Sequence, residues 1–134
     1  VKDLDFGGGA ILVRDGKGQK DRVTMLPSSL EEPLRTHLER VRRQHQVDLD
    51  KGMGRVALPS ALALKYSNAD CEWAWQWVFP ATRHHVSRED GECRRHHLHE
   101  SVVQRAFKET VRRIGLAKQD SCHTLRHSFA THLL

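Results

Sequence analysis

Two short stretches of this sequence carry side chains suited to handling a phosphate group. Late in the chain, His123-Thr124-Leu125-Arg126 places an imidazole and a guanidinium three positions apart, a spacing that brings both to one face of a helix. The guanidinium offers a planar fork of donors matched to phosphate oxygens. The imidazole can donate or exchange a proton. Early in the chain, Gly16-Lys17-Gly18-Gln19-Lys20-Asp21-Arg22 sets Lys17 between glycines, which lets its ammonium stand clear of the backbone. A lysine there can reach an oxygen leaving group and give it a proton. Taken singly, each stretch also has an ordinary reading: a surface arginine beside a helix-start histidine, and a solvated turn.

Such groups act only if they are held, and the rest of the sequence supplies the elements. Residues 1–26 read as a small antiparallel β-meander. "VKDLDF" sets Val1, Leu4 and Phe6 against charged neighbours, and "GGG" at 7–9 breaks the chain. "AILV" at 10–13 is a short strand, and "VTML" at 23–26 returns after the basic turn, as a hairpin requires. Pro27 ends the meander. Ser28 with Glu31, and Ser29 with Glu32, match the capping-box spacing. Leu30, Leu34, Leu38 and Val41 then predict a helix to about residue 46.

Residues 47–80 are less regular. "DKGMGR" reads as a loop, and "LPSALALKYS" as a short helix. "CEWAWQWVFP" holds all three tryptophans, Trp73, Trp75 and Trp77, at strand alternation. Core packing accounts for at least one of Trp73 and Trp77. Residues 81–97 read as a polar, basic loop ending in "CRRHH". Val103, Phe107, Val111 and Ile114 stripe a helix over 99–114, with Gly115 at its C′ position. A last helix, 121–134, carries H-x-x-R and turns Leu125, Phe129 and Leu133 to the core. The fold class is α+β, mainly α: a three-stranded antiparallel sheet plus helices, within one domain.

Composition narrows the partner. Lys and Arg number 22 against 17 Asp and Glu, with 10 His besides, a net charge of +5; such a surplus fits an anionic partner, usually nucleic acid. Cys71, Cys93 and Cys122 are odd in number and irregularly spaced, so they suggest no disulfide framework and a reducing, intracellular setting. No apolar run approaches the ~20 residues of a membrane span. The chain begins with Val1 and stops inside a helical pattern, so both ends read as cut from a longer protein.

The G-K-G-x-K-x-R hairpin, followed about a hundred residues later by H-T-L-R-H-S-F-A-T-x-L, resembles the tyrosine recombinase (phage integrase) family over most of the chain. More narrowly, "VALPSALALKYSNADCEWAWQWVFPA" and "RRHHLHESVVQRAFKETVRRIGL" are similar to the integron integrases. Those carry an extra segment between hairpin and H-x-x-R helix, here about 47–80. One departure is "SREDGE" where the family usually has a proline-containing D-P-R-S-G turn; another is Cys122 where proline is common.

The resemblance implies a partial recombinase catalytic domain, residues 1–134, truncated at both ends. It lacks the family's first arginine, second histidine and nucleophilic tyrosine, and is expected to be inactive alone. Tyr66 falls where the family has a structural residue. The resemblance implies Lys17 as general acid for the leaving 5′ oxygen, with His123 and Arg126 bracing the scissile phosphate, where preorganised cations stabilise the developing charge. It implies backbone contacts for Lys20 and Arg22, phosphate contacts for Arg94 and Arg95, and Trp75 with His96 and His97 holding protruding bases of a folded single-strand site. No cofactor or metal is implied, because a phosphotyrosyl link conserves the bond energy. The implied partners are DNA, as folded hairpin and duplex sites, and further copies in a tetramer on DNA. The implied setting is the bacterial cytoplasm, with the nucleoid.

Three other readings remain at this point. One is a non-catalytic DNA-binding remnant, which shares every residue above. Another is an ordinary phage or chromosome-resolving recombinase, against which the extra segment argues. The third is a zinc protein, from His123-x3-His127 and Cys93-x2-His96.

Overall fold

A computed structural model describes residues 1–16, 18–88, 90–116 and 121–132, leaving aside the side chains of Ser60, Ala130 and His132. Lys17 and Leu133 therefore lie outside the described residues. Two compact units make up the chain, Val1–His97 and Leu98–Leu134. The architecture is the expected helix-rich α+β one.

The first unit opens with the anticipated meander. Strands β1 (Leu4–Asp5), β2 (Ala10–Val13) and β3 (Arg22–Met25) form an antiparallel sheet in that order. Leu4 is opposite Ile11, and Ile11 opposite Thr24. The glycine turn is drawn tight by the Asp5 carboxylate, which accepts from the amides of Gly7 and Gly8 at 3.0 and 2.8 Å.

Helix α1 spans Ser28–Asp50, starting where the sequence suggested but without the capping box. Pro27 holds the cap position with extended backbone and no side-chain hydrogen bond. Ser28 is already helical, so neither serine hydroxyl stands where a cap must. Pro33 lies inside the helix and removes one backbone hydrogen bond. The helix also runs four residues past its expected end. Its buried stripe is Leu38, Val41, His45 and Asp48, so two polar residues continue the apolar face and hydropathy alone loses the trace. Gly52, at φ +72°, closes it, as a left-handed residue past a helix end does.

After a loop, α2 covers Ser60–Lys65, the expected short helix. The tryptophan segment is not a strand. It forms two 3-10 turns, Ala69–Cys71 and Trp73–Trp75. The buried Gln76 amide donates to the carbonyls of Asp70 and Glu72 at 3.0 and 3.2 Å. That bond cinches the turns and keeps the segment from extending.

Residues 81–97 are not a loop but most of a hairpin, β4 (Pro80–Val86) against β5 (Cys93–His97), with a bulge between Pro80 and His84. On its other side β5 meets Arg55, which bridges Arg94 in parallel and accepts the Arg95 amide at 3.3 Å. The strands are so polar because their inward anchors are Arg95 and His84 rather than aliphatic residues.

Among the described residues, Leu26, Leu38, Val41, Val56 and Ala69 are the buried apolar ones, joined by buried His45, Asp48 and Gln76. All belong to the first unit.

The second unit holds α3 (Glu100–Arg113) and α4 (Cys122–His132). His99 caps α3 by accepting from the Ser101 amide at 3.2 Å. Arg112 and Arg113 lie in its last turn, where the helix dipole favours cations, and Gly115 at φ +69° ends it as expected. The anticipated core stripes are only partly covered: Phe107 and Val111 on α3 are half-buried, while Val103 on α3, Ile114 just past its end, and Leu125 and Phe129 on α4 are exposed. Among the described residues no helix is long and apolar enough to cross a membrane.

Candidate nucleic-acid interface

The β2–β3 connection is built to project. Gly18 at φ +81° and Gln19 at φ +55° reverse the chain, and the Gln19 amide donates to the Gly16 carbonyl at 2.8 Å. A side chain at Gly18 would meet open space, so its glycine serves the backbone angle alone. Asp21 braces the turn by accepting from the Asp15 amide at 3.0 Å. Arg14 is fixed by Asp3 at 2.8 Å, which raises the guanidinium's already high pKa. Lys20 and Arg22 are exposed, and neither has an ion pair among the described residues. The turn therefore presents Lys20 and Arg22 to the outside; Lys17 precedes them in sequence.

The β4–β5 hairpin treats its arginines differently. Arg94 forms a two-pronged pair with Asp90, one contact at 2.8 Å. Asp90 also accepts from the Glu92 amide at 3.1 Å, so the carboxylate fastens the turn that replaces the proline-containing one. Hydrogen bonds from Arg94 and the Glu92 amide hold the Asp90 carboxyl far below the usual carboxylate range.

Arg95 points inward. Its Nε donates to Asp48 Oδ2 at 2.7 Å, one terminal nitrogen to Asp48 Oδ1 at 3.0 Å, and the other to the Ala81 carbonyl at 2.7 Å. The His84 ring nitrogen lies 3.0 Å from Arg95 and 3.2 Å from Asp48. Side-chain exposure is 11% for Arg95 and 5% for Asp48. Burial pushes the Asp48 carboxyl up, but Arg95, Gln44 and His84 outweigh it and hold it below its ordinary value. Arg95 was expected to meet DNA phosphate; its guanidinium is instead committed within the fold.

The aromatic residues regroup as well. Trp75 is half-buried and covered by Lys2, whose Nζ lies 3.0 Å from its ring centroid. Burial, with Arg14 nearby, lowers the Lys2 pKa. The ring beside the histidine pair is Trp77. It stacks on His96 at 5.8 Å and 10°, and meets His97 edge-on at 5.1 Å. His96 and His97 are 4.1 Å apart, and His85 lies 5.8 Å from His96. Burial, then the neighbouring His97 and His85, lowers the His96 pKa. Its ring stays neutral and flat against the tryptophan near neutral pH. Trp77 remains 37% exposed, so this four-ring platform is open on one side.

In the second unit, His123 and Arg126 are one turn apart on α4 and both exposed. The His123 ring meets His127 edge-on at 5.7 Å. Thr124 Oγ1 accepts from the Ser121 amide at 3.2 Å and fixes the helix start. Lys108, with Gln104 on α3, shares with Ser121, Cys122 and His123 a recess of about 260 Å³. Among the described residues no three His, Cys, Asp or Glu side chains cluster to hold a metal ion.

Asp48, His84, His85, Trp77 and Lys108 were not singled out from the sequence as functional. Asp48 had a usable signal, since it continues the Leu38–Val41 stripe at helical spacing. Pairing of His85 with His96 had none, because it depends on a hairpin the sequence did not reveal.

The phage integrase family pattern matches residues 1–134. Over its whole length the chain is 50% identical to proteins named integrase/recombinase from Escherichia coli and Pseudomonas aeruginosa, and it spans 40% of the length of each. A stretch of 28 residues, 21% of the chain, is 71% identical to 9% of the tyrosine recombinase XerD of Corynebacterium glutamicum. With a turn of projecting cations, an H-x-x-R helix and a family match from end to end, the chain belongs to the phage integrase family.

Proposed function

We propose that this chain is part of the catalytic domain of an integron-type tyrosine recombinase, which moves gene cassettes by site-specific recombination. The observation that carries the integron reading is the open Trp77–His96–His97 platform on the β4–β5 hairpin. An unstacked base laid on such a ring gains roughly 1–3 kcal/mol, without regard to its identity. A protein that holds protruding bases this way recognises the shape of a folded strand rather than a duplex sequence.

The chemistry follows from the cations. A tyrosine oxygen attacks the scissile phosphorus, the bond to the 5′ oxygen breaks, and a 3′-phosphotyrosyl link forms. Lys17 supplies the proton to the departing 5′ oxygen. His123 and Arg126 hold the non-bridging oxygens, where fixed donors are most effective as charge builds. A 5′ hydroxyl from the partner strand then reverses the step. Lys20 and Arg22 contact the DNA backbone on the way in. Tyr66 is not the nucleophile in this reading; it ends α2 with Lys65 over its ring at 5.3 Å. The attacking tyrosine belongs to the part of the relatives' length that this chain does not span, and the working assembly is a tetramer on DNA.

The test uses a protein of the relatives' length containing this chain. It is offered a hairpin site with protruding bases and the same hairpin with those bases deleted, and the covalent protein–DNA adduct is measured. The proposal expects adduct on the first in excess of the second, and expects Trp77→Ala to remove the difference. Equal adduct on both substrates would overturn the integron reading. No adduct on any site would overturn the recombinase mechanism.

A further inference from the structure

The platform is only as well placed as the strand beneath it, and the structure shows what holds that strand. Arg95 and His96 are neighbours on β5, so their side chains leave the strand on opposite sides. Arg95 goes inward to Asp48, and His96 outward to Trp77. Asp48 lies 47 residues away near the end of α1. Its two oxygens take up Arg95 twice, Gln44 at 3.1 Å and the His84 ring. The same acid therefore reaches β5 through Arg95 and β4 through His84. Arg95 adds a bond to the Ala81 carbonyl, closing the loop back to β4.

This is a costly way to attach a hairpin. An apolar pair of equal volume would hold it as firmly or more so, because two buried charges must first lose their water. What a two-pronged ion pair adds is direction: the guanidinium fork meets a carboxylate in one plane and one register. The space around it allows little slack. Asp48, Arg95, Gln44, Gln76, Pro80 and Trp77 all border a cavity of only about 10 Å³, room for about one water at most. Trp77 thus borders the buried end of this network while stacking on His96 at its open end.

We infer that Asp48 is a positioning residue: through Arg95 and His84 it sets the angle at which Trp77 and His96 meet a protruding base. The inference deepens the function proposed above and rests on it. Asp48 touches no DNA. Its removal misaligns the platform rather than taking a contact away, so the loss falls on protruding-base recognition and spares backbone binding.

The experiment measures binding of the same longer protein to the hairpin with and without its protruding bases, taking the ratio as the readout. Asp48→Asn keeps one acceptor but not the charge. It should lower the ratio at least about fivefold, the low end of what one stacked base contributes. Affinity for the flush hairpin should stay within about twofold, which also shows that the variant is folded. Asp48→Glu should recover part of the ratio, since it restores the carboxylate. An unchanged ratio in Asp48→Asn would overturn the inference. Equal loss on both hairpins in Asp48→Asn passes the decision to the milder variant His84→Gln, and an unchanged ratio there would overturn the inference as well. Trp77→Ala separates the two proposals. If it abolishes the ratio while Asp48→Asn does not, the platform stands and the positioning role falls. If the unaltered protein shows no ratio, the platform itself falls.

Discussion

Two hairpins of this molecule are rich in arginine and lysine, and they hold them differently. Between β2 and β3, among the described residues, Lys20 and Arg22 are exposed and Arg14 is tied down. On β5 two cations are spent within the protein, Arg94 on Asp90 and Arg95 on Asp48, while Arg83 and Arg88 of the same hairpin stay exposed. Composition alone reads both as basic patches. The difference lies in the carboxylates that each hairpin finds. Exposed cations can release counterions by meeting phosphates, whereas a buried, paired arginine shapes the surface that others use. The molecule thus carries charge open to contact in one place and charge for architecture in another.

The contrast breaks most sharply at Arg95. Arg95→Ala leaves Asp48 buried without its partner and should cost about 3 kcal/mol of stability, read by urea unfolding. Arg22→Ala, on the open hairpin, should stay within about 0.5 kcal/mol. Similar losses at the two positions would erase the distinction.

Acid probes the same pair. Asp48 is held below its ordinary value in the fold, so the unfolded chain binds protons more readily in acid. Its contribution is complete above the unfolded value of about 3.9 and is lost as pH falls through the lower folded value. Unfolding followed from pH 5 downward should show this loss, and Asp48→Asn should flatten that part of the curve.

On the open hairpin the expected signature is ionic. Replacing both Lys20 and Arg22 by alanine should reduce the salt dependence of duplex binding by nearly two phosphate contacts, a slope change of about 1.8. Arg95→Gln should leave that slope alone. The smallest effect is expected at Asp90→Asn, which frees the largely buried Arg94 side chain from its acid: a modest rise in DNA affinity with little change in melting temperature. No rise would mean that Arg94 is fixed by the strand as much as by its acid.

The sequence revealed most where one kind of signal acted alone. The meander followed from alternation and glycine, α3 from its stripe and Gly115, and the H-x-x-R turn of α4 from spacing. It misled where side chains of mixed character form the structure. The α1 stripe passes from Leu38 and Val41 to His45 and Asp48, so apolar counting stopped at about residue 46. The β4–β5 hairpin has Arg95 and His84 as its inward anchors, and a strand stapled by an ion pair reads as a polar loop. The tryptophans alternate as a strand would, but Gln76 holds their backbone in tight turns. For the candidate site, residue types such as His96 and His97 were legible; their partners were not. Trp77 rather than Trp75 faces them, and that depends on a hairpin visible only in three dimensions.

The short β4–β5 ribbon also bears on how the protein avoids its own kind. A two-stranded ribbon has two open edges, and a straight open edge is an invitation for another chain to pair with it. Here one edge is interrupted by Arg55, which takes the Arg95 amide, and the other belongs to the strand bent by the bulge after Pro80. Neither presents a long flat row of free amides and carbonyls. The exposed ribbon is thereby poorly suited to zipping onto a second copy, and crowding need not seed aggregation through it.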